Sequence, residues 1–324
     1  MIQRRSIIAA AASMPLATAT QAQTTGAWPS RPIRIVVGFA AGGATDITTR
    51  TLAPKLSSLV GQPIVVENRP GGGGNLATDL VVRAAPDGYT LLMGTIGALA
   101  INPTLFGNLT FDPRVDLTPI AMAGDILNIL VVPMDRPWRS LADLIAAARA
   151  QPDTLTYGSS GIGGAGHLAG ALLDREAGIR TVHVPYRGGG PLMTDLISGK
   201  IDFAFSTAPT ALPQIEGGRL RALAIPTLRR STITGELPAI AETLPGFEVA
   251  NWYALLGPKN LPAPVVARMN AAMQETLRDP EMIAHLARHG TEPRPGDAEE
   301  LGRFIRQETE KWAPIVRATG ANPN

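Results

Sequence analysis

Two glycine-rich turns carry the residue types best suited to gripping a small anion. The first spans Gly38–Asp46 and includes Phe39, Ala40, Gly43 and Asp46; the second spans Tyr157–His167 and includes Ser159, Ser160 and His167. Each follows a short apolar run and precedes a helix-patterned stretch, so it presents free backbone N–H groups at the positive end of a helix. The plainer reading is a tight strand-to-helix turn, with glycine supplying special dihedrals and Asp46 capping the helix. The second turn also contains Gly161-x-Gly163-x-x-Gly166, a dinucleotide fingerprint if an acid ends the next strand. That strand ends as Val182–Tyr186 without an acid, so hydroxyl and N–H donation to a carboxylate is the better use, and no cofactor is expected. The loops Thr95–Ala100, Pro185–Gly190 (with Tyr186) and Ser206–Pro209 follow other predicted strands. Ligands lie beyond the carboxyl ends of the strands in an open parallel sheet, so these loops would converge on one cleft if those strands belong to facing lobes.

Catalytic patterns are weak. His285 and His289 stand four apart, but no carboxylate completes a metal-hydrolase motif, and no metal is expected. Ile162 breaks G-x-S-x-G after Ser160, so a nucleophile elbow is unsupported. The enzyme alternative is an exported hydrolase using Ser159 or Ser160 with His167.

These turns need a scaffold of alternating strands and helices. Predicted strands are Ile33–Phe39, Pro63–Glu67, Tyr89–Thr95, Ile126–Val132, Thr154–Gly158, Thr181–Tyr186, Ile201–Thr207, Leu220–Ile225 and Val249–Leu256, interleaved with helices as in a mostly parallel α/β sheet. Ser140 with Asp143 forms a capping box, and Gly190 with Pro191 opens a helix that Gly199 stops. From Pro262 onward helix follows helix with no further strand. Asp297 with Glu300 opens the last helix, which buries Leu301, Phe304, Ile305 and Trp312. The 324 residues suit two lobes, joined by crossings near Ala123–Asp125 and Pro245–Ala250. The expected division is residues 23–124 with 247–324 as lobe 1 and 125–246 as lobe 2.

Arg4 and Arg5, the apolar run Ser6–Ala12 and small residues up to Ala22 read as an export signal over residues 1–22. Its removal takes the formal charge from +2 to neutral, which argues against nucleic acid as a partner. There is no cysteine, hence no disulfide and no lipid-modified N-terminus. After residue 22 no apolar run reaches the roughly 20 residues that cross a bilayer. A soluble periplasmic monomer is expected.

In several segments the chain resembles the substrate-binding receptors of tripartite tricarboxylate transporters, the Bordetella uptake gene (Bug) receptors. These are Trp28–Val37, Gly42–Asp46, Gly61–Gly71, Ala85–Leu91, Tyr157–Ser160, His183–Gly188 and Leu244–Glu248. The resemblance implies a two-lobed Venus-flytrap protein that is not an enzyme and delivers a carboxylate to membrane transporter subunits, gripping it with backbone groups and water. It places Phe39, Ala40, Gly43, Asp46 and Thr95 at the first-lobe contact and Ser159, Ser160, Tyr186, Ser206 and His167 at the second. Ser206 stands where the family frequently has Asp, and Ile96–Leu99 replaces a more polar loop. Both departures suit an anion without an ammonium group and with an apolar body. A periplasmic sensor module would use the same cleft.

Overall fold

The computed structural model describes residues 28–319 apart from residue 232, so the expected export signal over residues 1–22 lies outside the described residues. The chain runs through β1 (Ile33–Val37), α1 (Ala44–Val60), β2 (Ile64–Asn68), α2 (Asn75–Val82), β3 (Thr90–Thr95), α3 (Asn102–Leu105), α4 (Pro113–Asp116) and β4 (Leu117–Ile126). After Leu127 alone come β5 (Asn128–Pro133), α5 (Leu141–Ala150), β6 (Thr156–Ser159), α6 (Ala165–Ala177), β7 (Val182–Pro185), α7 (Gly189–Ile197), β8 (Phe203–Thr207), α8 (Ala208–Glu216) and β9 (Leu220–Ala224). The chain then returns as β10 (Trp252–Pro258), α9 (Ala263–Arg278), α10 (Pro280–Arg288), β11 (Thr291–Pro293) and α11 (Ala298–Thr319).

The strands form two sheets, ordered β11-β4-β10-β3-β1-β2 and β7-β6-β8-β5-β9. β1 pairs in parallel with β2 and β3, and β6 in parallel with β7 and β8; the strands around the crossings pair antiparallel. Both faces of the first sheet are covered, which explains its nearly continuous apolar strands. Along β1, Ile33, Ile35 and Val37 pack with Leu52, Leu56 and Met269 of α1 and α9, while Val36 packs with Val81, Leu301 and Trp312 of α2 and α11. The appended helices therefore complete the first lobe. The fold is the expected two-lobed α/β architecture.

The two crossings lie against each other: the Ile126 N–H donates to the Asn251 carbonyl (2.8 Å) and the Asn251 side-chain amide donates to the Asn128 side-chain oxygen (3.2 Å). The Ser140–Asp143 capping box forms in both directions, Asp297 caps α11 through the Glu300 N–H, and α7 gives way to Gly199 at φ +73°.

Two sequence expectations need correction. β4 was not expected, because Pro119 and Gly124 break its pattern; the register against β10 shifts at Leu256, opposite Pro119, and such a bulge accommodates proline in a strand. A strand also follows Pro262: β11 pairs Thr291–Pro293 with Gly124–Ile126, a three-residue edge specified by its partner rather than by any alternation of its own.

Glu308, buried in the α11 seam, accepts the indole N–H of both Trp252 (2.9 Å) and Trp312 (3.1 Å). Glu308→Ala would leave two fully buried donors unpaired. It should lower unfolding free energy by about 2 kcal/mol, read from urea unfolding, whereas an unchanged midpoint would show that water replaces the carboxylate.

Candidate functional site

The helices α1, α6, α7 and α8 each follow a strand directly, and none has a side chain capping its N-terminus; the cap residues are Gly43, Gly164, Gly188 and Thr207. Their first-turn amides therefore have no acceptor supplied by a cap, and each helix end carries a partial positive charge. All four converge on one cavity of about 30 Å³ between the lobes. Gly43, Ala44, Thr45, Thr95, Ile96, Gly97, Ser160, Gly164, Ala165, Gly166, Gly189, Thr207, Asn251 and Tyr253 line it, with Phe39 and Phe205 as apolar walls. None of these residues is charged. An anion held here would meet N–H dipoles and hydroxyls in place of an arginine or lysine.

Glycine is required where the lobes touch. The Ala40 N–H donates to the Arg187 carbonyl across the seam (3.1 Å), and a Cβ on Gly97 would lie 2.9 Å from the Gly163 carbonyl oxygen. A Cβ on Gly73 would crowd the Ile162 carbonyl still more closely from the first lobe, and one on Gly163 would strike the side chain of Asn102 from the second.

Of the residues singled out from sequence, Phe39, Gly43, Thr95 and Ser160 line the cavity. The Thr95 hydroxyl is buried there without a hydrogen-bond partner among the described residues. Ala40 is engaged in the lobe-to-lobe bond. Asp46 does not line the cavity; its carboxylate accepts from the Gly42 N–H (2.9 Å), Arg50 (2.8 Å) and Asn68 (3.0 Å), so it fixes the turn that presents α1. Tyr186 lines an adjoining groove with Phe39 and Ser160, its hydroxyl donating to Asp195 (3.0 Å). The Ser206 hydroxyl is buried and shares a hydrogen bond with Thr210 (3.0 Å).

Ser159 and His167 belong to the packed interior of the second lobe. The Ser159 hydroxyl donates to the Gly161 carbonyl (3.0 Å), leaving it to accept from His183 Nε2 (2.7 Å). His183 stacks between Tyr157 (4.8 Å) and His167 (4.0 Å), and His167 Nδ1 accepts the Gly163 N–H (3.1 Å). Burial pushes His167 down to about 4; burial, and then the neighbouring His167, push His183 down to about 3. Ser159 is thus paired with His183 rather than His167, and no histidine lines the cavity. The stack braces the turn that delivers the α6 amides.

Sequence reasoning missed Thr45, Asn251 and Tyr253. Burial pushes the Tyr253 hydroxyl up to about 12, against the opposing pull of hydrogen bonds with Thr45 and Asn251. The available signal was Asn251, a lone polar residue inside the predicted strand Val249–Leu256, at the point where the chain re-enters the first lobe.

The family model described as "Tripartite tricarboxylate transporter family receptor" matches residues 48–321. Protein BugT of Bordetella pertussis is 35% identical over 296 residues, covering 91% of each chain. The structure of R. palustris Rpa4515 with adipate superposes with a TM-score of 0.89 at 34% identity, covering 91% of this chain and 99% of that one. MatC from Rhodopseudomonas palustris with bound malate gives 0.85 at 31% identity, covering 89% and 100%. With the two sheets, the paired crossings and the expected sequence segments all in place, the chain belongs to the tripartite tricarboxylate transporter family of Bug-type periplasmic solute-binding receptors.

Proposed function

We propose that this receptor is exported to the periplasm, closes its two lobes around a small organic carboxylate lacking an ammonium group, and hands it unchanged to a tripartite membrane transporter. Residues 23–124 with 247–324 form one lobe in this reading and residues 125–246 the other, with the first crossing falling slightly later, at Leu127 between β4 and β5. The observation that carries it is the convergence of four helix N-termini without side-chain caps on a cavity that, among the described residues, is lined by no charged side chain. Such a cradle favours an anion, and the absence of a lining acid leaves an ammonium without a partner. Adipate and malate, held by two relatives, are carboxylates without amines. Phe39, Ile96 and Phe205 offer apolar contact to a carbon skeleton. Ligand that touches both lobes stabilises the closed state over the open one.

A thermal-shift screen of mono-, di- and aromatic carboxylates beside amino acids of matching length tests this. A cognate acid at about 100 times its Kd should add about 2.7 kcal/mol of stability, and the amino acids should add less. Thr95→Val removes the unpartnered hydroxyl and should weaken the best ligand about tenfold. Stabilisation by amino acids alone would overturn the reading.

A further inference from the structure

The strand order places the crossings between two opposite sides of the molecule. In the first sheet, β4 and β10 have β3, β1 and β2 on one side and β11 on the other; in the second, β5 has β8, β6 and β7 on one side and β9 on the other. The loops after β1, β3, β6 and β7 meet across the ligand cavity. On the other side, β11 and α11 stand apart from the segment after β9, leaving a cavity of about 600 Å³ against about 30 Å³ at the ligand site. Its walls include Glu292, Phe304 and Lys311 from one lobe and Pro226, Thr227 and Arg230 from the other.

Asn251 lines both cavities; of its successors, Trp252 lines the rear cavity and Tyr253 the ligand site. The cations of the rear cavity pair locally, Arg230 with Glu242, Arg294 with Asp125 and Lys311 with Glu248. Among the described residues no hydrogen bond or ion pair runs from residues 226–233 to residues 290–311, so the gap is not fixed at one width by polar contacts.

Rotation about paired crossings moves the two sides in opposite senses. Opening the ligand cleft must therefore narrow the rear cavity, and packed side chains resist compression. We infer that the rear cavity sets the receptor's ligand affinity, because bulk placed in it drives the lobes closed. This rests on the reading of the chain as a closing receptor.

Ala250 lines the rear cavity, is half-buried and has no polar side chain to lose. Ala250→Phe should give the unliganded protein a smaller radius of gyration than the parent by small-angle scattering. Calorimetry with the best carboxylate from the screen should show binding about fivefold tighter, since a larger competent fraction lowers the apparent Kd in proportion. Thr227→Trp, on the facing wall, should do the same and serves if Ala250→Phe fails to fold. An unchanged or larger radius in a folded variant, or weaker binding, overturns the inference. If the parent binds no carboxylate, the reading of the ligand site fails, while the scattering still decides whether the rear cavity controls closure.

Discussion

A leucine in place of Gly97 should weaken carboxylate binding about a hundredfold or more, about 2.7 kcal/mol, while both lobes keep their fold. Gly97 begins the helical turn after β3 and does not occupy the positive-φ region, and the three atoms nearest to a Cβ built there all belong to the other lobe. Across the seam its Cβ would sit 2.9 Å from the Gly163 carbonyl oxygen and 3.4 Å from the Gly164 Cα. Those are backbone atoms, and they can recede only if the lobes part. The cradle is divided between lobes, α1 amides on one and α6, α7 and α8 amides on the other, so a parted molecule keeps only fragments of the site. Gly170 supplies the contrast: a Cβ there would strike the Tyr157 ring inside one lobe, so Gly170→Ala should lower the melting temperature. Calorimetry and thermal unfolding of both variants separate the effects. Normal binding by Gly97→Leu would show that the seam is not closed in the liganded state.

Stability should fall steeply below about pH 6.5, with the buried His167–His183 stack responsible. Both groups have depressed values in the folded protein, about 4 and about 3 against an ordinary 6.5. The unfolded chain therefore binds protons that the folded chain refuses; their contribution is complete above pH 6.5 and is lost as pH falls towards 3. His289, lowered mainly by burial, acts in the same direction. Asp174 opposes them: burial raises it to about 6, so it adds stability as pH falls from 6 towards 3.8. Glu242, held at about 2 first by its hydrogen bond with Arg230, joins the histidines in the same direction once pH falls below about 5. A tenfold difference in proton affinity between folded and unfolded chains is worth about 1.4 kcal/mol. The net loss between pH 7 and 4 is then on the order of 3 kcal/mol. Urea unfolding at stepped pH measures it, and His183→Gln, which can still bond Ser159, should remove well over half of the net slope, because Asp174 offsets much of what His167 still contributes. A flat profile from pH 7 to 5, or an unaltered slope in the variant, would contradict the protonation states assigned to the stack.

Much of the scaffold was legible because parallel strands covered on both faces leave mostly apolar runs, as at Ile33–Val37, where Arg34 is the sole polar residue, and at Phe203–Phe205. β4 escaped because Pro119 and Gly124 sit at irregular pairings that only β10 explains, and β11 because its three residues carry no pattern. The site was legible where chemistry is local. Gly43 and Ser160 stand in strand-to-helix turns, and such turns announce free amides. It was misleading where a polar residue faces the interior: Asp46, Ser159, His167 and Ser206 resemble ligand contacts in sequence, yet each is bonded to neighbours that shape the turns. Tyr253 arrives from the distant return crossing, where the lone polar Asn251 marks the re-entry but not which side of β10 faces the cleft.

The central claim is that an uncharged cradle of amides and hydroxyls recognises a carboxylate by its negative charge. Calorimetry of the best carboxylate from the screen beside its carboxamide tests this most directly, since the two share size and shape and differ in charge and acceptor strength. The account predicts that the acid binds and that the amide binds at least about a hundredfold more weakly. Equal affinity for the two, or binding of the amide alone, would contradict it.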